Sequence, residues 1–365
     1  MAASAGYGGR DTITTIRVIR SAISDDLARL LENEPIVRED VDPEGVHQAR
    51  VACRRMRSQL RTFRKAIRRA ELDPLVEDLR WLGTLLGSVR DLDVLSERLE
   101  QDCTGAPEGA TAAVLRSCAI DRQEAFADAI VAMRSTRYRR LLERLGTAAA
   151  APPVKKSCAA EPAVGVLLPE VRRRWEELEE AVRELSMAPR DDELHHLRIL
   201  SKRARYAAEI AAPLTSGDLD KLSRRIAKVQ KVLGELNDGS RAVQWLELLK
   251  QEPSRRGRVA RGGGGGSDML VAVEVVLAAE HSALAARRSE WRAVFDRARE
   301  VAVGLGWSVE PAAQDLGSGT AGAAGAAASA GSAASAGSAE PAAPAEGAAD
   351  ATKGAGRLKA VPASG

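Results

Sequence analysis

Two segments 148 residues apart carry one residue pattern, VHQARVACRRMRSQLRTFRKAI from Val46 and LHHLRILSKRARYAAEIAAPL from Leu194. The stretches downstream also match, LLGSVRDLDV from Leu85 with VLGELNDGSR from Val232. His47 therefore corresponds to His195, Gly87 to Gly234 and Asp91 to Asp238. A duplication on this scale predicts two similar halves that bury the same faces, packed about a pseudo-two-fold axis.

The periodicity around the repeats is helical. Ile13, Ile16, Ile19, Ile23, Leu27, Leu30 and Leu31 recur every three or four residues until Pro35, which is expected to close the helix. Further helices are predicted over 44–70, 74–103 and 108–145, then over 166–187, 191–212, 218–250 and 268–303. Aromatics make up 3% of the chain, and β-branched residues rarely alternate with polar ones, which favours helix over sheet. The expected fold is all-α: two pseudo-symmetric four-helix bundle halves forming one helical domain over 12–303. The first half spans 12–145, an aperiodic proline-punctuated linker 146–165, and the second half 166–303 with a glycine-rich loop at 255–267. Residues 1–11 are expected to be a flexible N-terminus. The Ala/Gly/Ser/Pro tract over 304–365 is too poor in large apolar residues to repay the entropy of ordering, so it is predicted to be disordered.

Charge restricts function. Lys plus Arg number 54 against 51 Asp plus Glu, a net +3 that is too small to mark a general nucleic-acid or membrane binder. Any polyanion site must come from local segregation. No run reaches the roughly 18 apolar residues of a membrane span, and the N-terminus lacks a basic, then apolar leader, so a cytoplasmic protein is expected. Cys53, Cys103, Cys118 and Cys158 are far apart with no CxxC pair, and read as reduced core thiols.

Segregation is found on the first repeat helix. His47, Arg50, Arg54, Arg57, Arg61, Arg64 and Arg68 step by three and four residues, which confines them to one stripe about 100° wide on a continuous helix. Ala49, Cys53, Met56, Leu60, Phe63 and Ile67 form the apolar stripe beside it, so the arginines flank the core and are partly desolvated. Between residues 45 and 70 there are eight arginines, one lysine and no acid, which excludes a self-neutralised face. The acidic stretch WEELEEAVREL from Trp175 is the candidate for neutralising the row through space. The second repeat keeps His195, Arg198, Lys202 and Arg205 and departs at Glu209. Paired across a dyad, the stripes would form a positive groove whose guanidinium forks suit phosphate oxygens. Neither stripe histidine has a His, Cys or carboxylate three or four residues on, so no metal site and no cofactor are expected. His196 and His281 have no repeat partner and read as incidental. Asp91 and Asp238 read as caps or arginine-orienting groups rather than as acid–base catalysts.

The motifs EGVHQARVACRRMRSQLRTFR, LRWLGTLLGSVRDLDVL, LHHLRILSKRARYAAE and KVQKVLGELND, in that order, resemble the CHAD family of helical proteins over roughly residues 12–303. The resemblance implies a central basic channel that binds inorganic polyphosphate, often at polyphosphate granules. By position it carries over His47, Arg50, Arg54 and Arg57, and His195, Arg198, Lys202 and Arg205. Arg80, Arg90, Lys228 and Lys231 match its further basic positions, while Asn237 departs from it at the repeat position of Arg90. Many relatives also carry a triphosphate-tunnel β-barrel with an ExExK motif. No strand-rich region or ExExK precedes Thr12, so the expectation is a stand-alone binding protein and not an enzyme. Two other readings stay open: a metal-dependent phosphohydrolase using His47 and His195, and a nucleic-acid binder, which the scarcity of stacking aromatics disfavours.

Overall fold

The computed structural model describes residues 13–102, 108–251 and 266–308. The expectations for residues 1–11, for Cys103, for the glycine-rich loop up to residue 265 and for the tail beyond Ser308 fall outside them. The described residues hold α1 (Thr15–Glu39), α2 (Pro43–Thr62), α3 (Arg69–Asp102), α4 (Glu108–Arg134), α5 (Thr136–Ala150) and a single turn, α6 (Lys156–Ala159). They continue with α7 (Ala163–Glu184), α8 (Asp191–Ala211), α9 (Asp218–Gln251), α10 (Gly266–Arg287) and α11 (Glu290–Gly304). Among the described residues there is no strand, only isolated bridges at Thr14–Pro162 and Ile67–Val154. The fold is all-α, as expected from the composition.

The duplication is visible helix by helix. α3 and α9 are each 34 residues long, and each is followed by a broken helix whose second piece, α5 or α11, has 15 residues. In the first half Ser135 makes the break: its Oγ caps the Tyr138 N–H at 3.3 Å and starts a new helix where one helix over 108–145 was predicted. The second-half prediction of one helix over 268–303 divides likewise into α10 and α11.

Each half has its own core. Met56, Leu60, Phe63, Leu82 and Tyr138 belong to the first, and Trp175, stacked on Phe295 at 5.6 Å, to the second. A third core belongs to both halves, joining Leu95 and Leu99 of α3 and Val114 and Cys118 of α4 to Leu246 of α9 and Val273, Val276 and Leu277 of α10. Within it Arg98 donates to Glu280 at 2.7 Å, so a buried carboxylate keeps a partner. By length and composition alone, Met269–Gly304 holds one window, of mean hydropathy 1.7, that could cross a membrane. The sequence showed no uninterrupted apolar run of that length. Met269, Ala272, Val273, Val276 and Leu277 of this segment pack in the third core, and Leu284, Trp291 and Phe295 in the second. Cys53 and Cys118 are buried free thiols, and burial pushes both up to about 12.

Several boundaries differ from those expected, among them the start of α3, which lies at Arg69 and not at Pro74. α1 runs past Pro35 to Glu39 because Ile36 packs on α2, where a Cβ at Gly45 would overlap it, and Val37 is fully buried. α2 stops at Thr62, not Ala70. There the supposed linker intervenes: Arg68 N–H donates to the Pro153 carbonyl at 2.7 Å and Lys155 N–H to that of Ala66 at 2.8 Å, which replaces the helical bonds. Residues 146–165 thus carry the end of α5, a buried strap at Pro152–Val154 and α6. The chain remains packed beyond 304, with Trp175 Nε1 donating to Ser308 Oγ at 2.8 Å.

Candidate polyanion-binding groove

α2 and α8 pack across the two halves. Asp42 starts α2, accepting the Glu44 N–H at 2.8 Å, with Pro43 at the first helical position. Ala49, Cys53, Met56 and Leu60 then bury one face and fix the rotation that presents the basic stripe. In α8, Leu194, Leu197, Ala204 and Ala208 do the same.

Between α2–α3 on one side and α7–α8 on the other lies a groove of about 880 Å³. Of the site residues expected from the sequence, Arg50, Arg54, Arg57, Arg61, Arg64, His195, Arg198 and Lys202 line it. The remainder lie elsewhere. Arg205 is turned into the scaffold, donating to Glu209 at 2.7 Å and Gln230 at 3.0 Å. Arg90 is paired with Glu97 at 3.1 Å, and Arg80 is exposed, 3.9 Å from Glu77. Lys228 and Lys231 are exposed on α9. His47 is half-buried outside the lining with its Nδ1 unpartnered, and burial, followed by Arg90, Arg54 and Arg50, lowers its pKa against the opposing pull of Glu44. Arg68 pairs with Glu71 at 2.8 Å, beyond the end of α2.

Arg69, Arg173, Arg174, Arg203 and Arg241 also line the groove, and the sequence reading missed them. Arg203 sits one residue off the three-four spacing, and the arginines of α7 precede the acidic stretch that looked neutralising. That stretch does not reach the α2 row. Glu177 is spent on Arg173 and Arg174, and Glu170 on Arg173 and on Lys65, the latter at 2.6 Å.

The two ends of the cation row differ in charge balance. At one end the repeat geometry is kept in duplicate. Arg50 lies 3.2 Å from Asp91 and passes over Gly87, where a Cβ would stand 3.2 Å from its Nε. Arg198 lies 3.8 Å from Asp238 and passes over Gly234, where that distance is 4.0 Å. Gly87 makes room for the Arg50 guanidinium, Gly234 leaves space to spare beneath Arg198, and the aspartates hold both arginines. Arg241 adds a contact to Asp91, and His195 Nδ1 lies 2.7 Å from Asn237 Oδ1, in the tautomer-dependent way of histidine. Further along, Arg54 donates to the Tyr206 hydroxyl at 3.0 Å. Among the described residues no carboxylate pairs with Arg54, Arg57, Arg61, Arg64, Lys202 or Arg203.

The electrostatics register this imbalance. Burial lowers the Arg57 pKa, and Arg61, Arg80, Arg54 and Arg203 lower it further. Arg203 is lowered by burial and by Arg174 and Arg61. Lys202 is pushed down to about 6, first by burial and then by Arg198, Arg54 and Arg50, with Asp238 opposing. Like charges about 4 Å apart repel by roughly 4 kcal/mol at an effective dielectric of about 20. Such a row recovers energy when an anion enters it. The lining is otherwise poor in acids, Asp73 and Asp91, and in aromatics, Tyr206. Among the described residues no three His, Cys, Asp or Glu side chains converge to hold a metal.

Comparison with known proteins agrees with this architecture. The model of the CHAD domain family matches residues 21–247. The uncharacterized proteins Rv2226 and MT2285 of Mycobacterium tuberculosis strains are each 26% identical over 242 residues, 64% of this chain and 45% of theirs. The chain thus spans about half the length of these curated relatives. Among solved structures, the CHAD domain from the plant Ricinus communis is similar with a TM-score of 0.63 and 24% identity, covering 80% of this chain and 97% of that one. PptA from Streptomyces chartreusis is similar at 0.60 and 19%, covering 78% and 100%. With most of its described helices inside the matched span, the chain belongs to the CHAD domain family.

Proposed function

We propose that the groove binds inorganic polyphosphate, that the protein acts as a non-catalytic receptor for it, and that it works in the cytoplasm at polyphosphate granules. One observation carries the reading: Arg54, Arg57, Arg61, Lys202 and Arg203 line a concave groove without carboxylate partners. Guanidinium forks match phosphate oxygens bidentately, and a row of them suits a linear polymer with a charge on every unit. Membership of a family with polyphosphate-binding members supports the same ligand. Single-stranded nucleic acid fits less well, because its bases need stacking platforms and the one aromatic in the lining, Tyr206, is buried.

The test is a titration of the protein with long-chain polyphosphate at graded salt. Binding at low salt, with log affinity falling linearly as log salt rises, is the expected outcome, and thermal stability should rise with ligand. No measurable binding at low salt would refute it. A phosphate-release assay in Mg²⁺, Mn²⁺ and Zn²⁺ is expected to be flat; release abolished by His47→Ala would establish hydrolysis instead.

A further inference from the structure

Past Lys202 the two repeats diverge in a particular way. At the offset of 148 residues, Arg205, Tyr206 and Glu209 stand where the first repeat has Arg57, Ser58 and Arg61. The first-repeat arginines face the groove. The second-repeat residues instead form a half-buried bracket against α2, of which only Tyr206 reaches the groove lining. Tyr206 is 3% exposed, and its hydroxyl accepts from Arg54 Nε at 3.0 Å. The guanidiniums of Arg55 and Arg205 lie over its ring, 5.8 and 5.6 Å from the centroid. Glu209 closes the bracket, 2.9 Å from Arg55 and 2.7 Å from Arg205, while Arg55 also lies 3.2 Å from the buried Asp26.

From this geometry we infer that Tyr206 is a positioning residue for the polyanion site: its hydroxyl fixes Arg54 from the opposite half, with the rest of the guanidinium aimed into the groove. The inference rests on the proposed polyphosphate reading. Arginine has several freely rotating side-chain bonds, and a long side chain held in advance loses less entropy on binding than a loose one. Nε is the correct atom to hold, because bonding there leaves the two terminal nitrogens for a phosphate.

Salt dependence separates positioning from charge. The slope of log affinity against log salt counts the counterions released, and so the cations engaged. Tyr206→Phe keeps the ring and every charge but deletes the acceptor. It is expected to weaken polyphosphate binding by roughly tenfold with the slope unchanged, and to lower the melting temperature by no more than the loss of one hydrogen bond does. Arg54→Ala, by contrast, should lower the slope by about one contact. Either wild-type affinity in Tyr206→Phe or a slope reduced as in Arg54→Ala would overturn the inference. If the wild-type protein itself fails to bind polyphosphate, the functional reading fails first, and the two failures are distinguishable in one series.

Discussion

α2 and α8 are copies of one helix, and they use their arginines in opposite ways. In α2, Arg57 and Arg61 remain without carboxylate partners on a groove wall. In α8, the equivalent Arg205 is bound to Glu209 and Gln230, and Glu209 itself replaces an arginine of the stripe. Two identical positive stripes packed together would repel over their whole length. Replacing one arginine by glutamate turns the second copy into an adhesive for Arg55 and leaves Arg57 and Arg61 of the first copy without carboxylate partners. The duplication yields one groove with two different walls.

The largest expected effect exploits that difference. The double substitution Arg57→Ala with Arg61→Ala in α2 should lower polyphosphate affinity by on the order of a hundred- to ten-thousandfold, at about 1.5–3 kcal/mol for each charge-assisted contact. Arg205→Ala in α8 should instead destabilise the fold by about 1–3 kcal/mol in chemical denaturation, with less than about a tenfold change in affinity. Equal affinity losses would show that the copies are equivalent.

Acidity sharpens the comparison next, because Lys202 stands at the position of Arg54 and only the lysine titrates in the working range. Its pKa is about 6 in the free protein, and a bound polyanion raises it, so binding takes up a proton above that pH. Affinity should be flat below about pH 6 and fall as pH rises beyond it, by up to about tenfold per unit. Calorimetry across pH reads this directly. In Lys202→Arg the dependence should flatten, and an undiminished one would place the titrating group elsewhere.

The smallest effect concerns the paired glycines. Both lie inside 34-residue helices, so alanine improves helix propensity by up to about 1 kcal/mol. Gly234→Ala has room beneath Arg198 and should gain stability with unchanged binding. In Gly87→Ala the new methyl, 3.2 Å from Arg50 Nε, must displace the guanidinium by a few tenths of an ångström, and a loss of roughly threefold in affinity is expected. The reverse order would contradict the packing described.

How far the sequence disclosed these features depended on their physical origin. Helix identity, the duplication and the α2 stripe were legible because they are periodic. The end of α2 was not, because backbone bonds from Pro153 and Lys155, distant in sequence, replace its helical ladder. Nor were the fates of individual arginines. The same three-four spacing puts Arg61 on the groove and Arg68 on Glu71, and it cannot report that Arg203, one residue off the stripe, reaches the groove from the other half. Glu209 was visible as a departure from the repeat. Its task required knowing that Arg55 stands opposite.

The proposed binding surface is the row of free cations on α2, met by Lys202 and Arg203 from α8. A structure determined with bound polyphosphate tests it most directly. Phosphate density is expected along Arg54, Arg57 and Arg61, within hydrogen-bonding reach of Lys202 and Arg203. Density lying instead along the outer face of α9 at Lys228 and Lys231, with the groove empty, would contradict it.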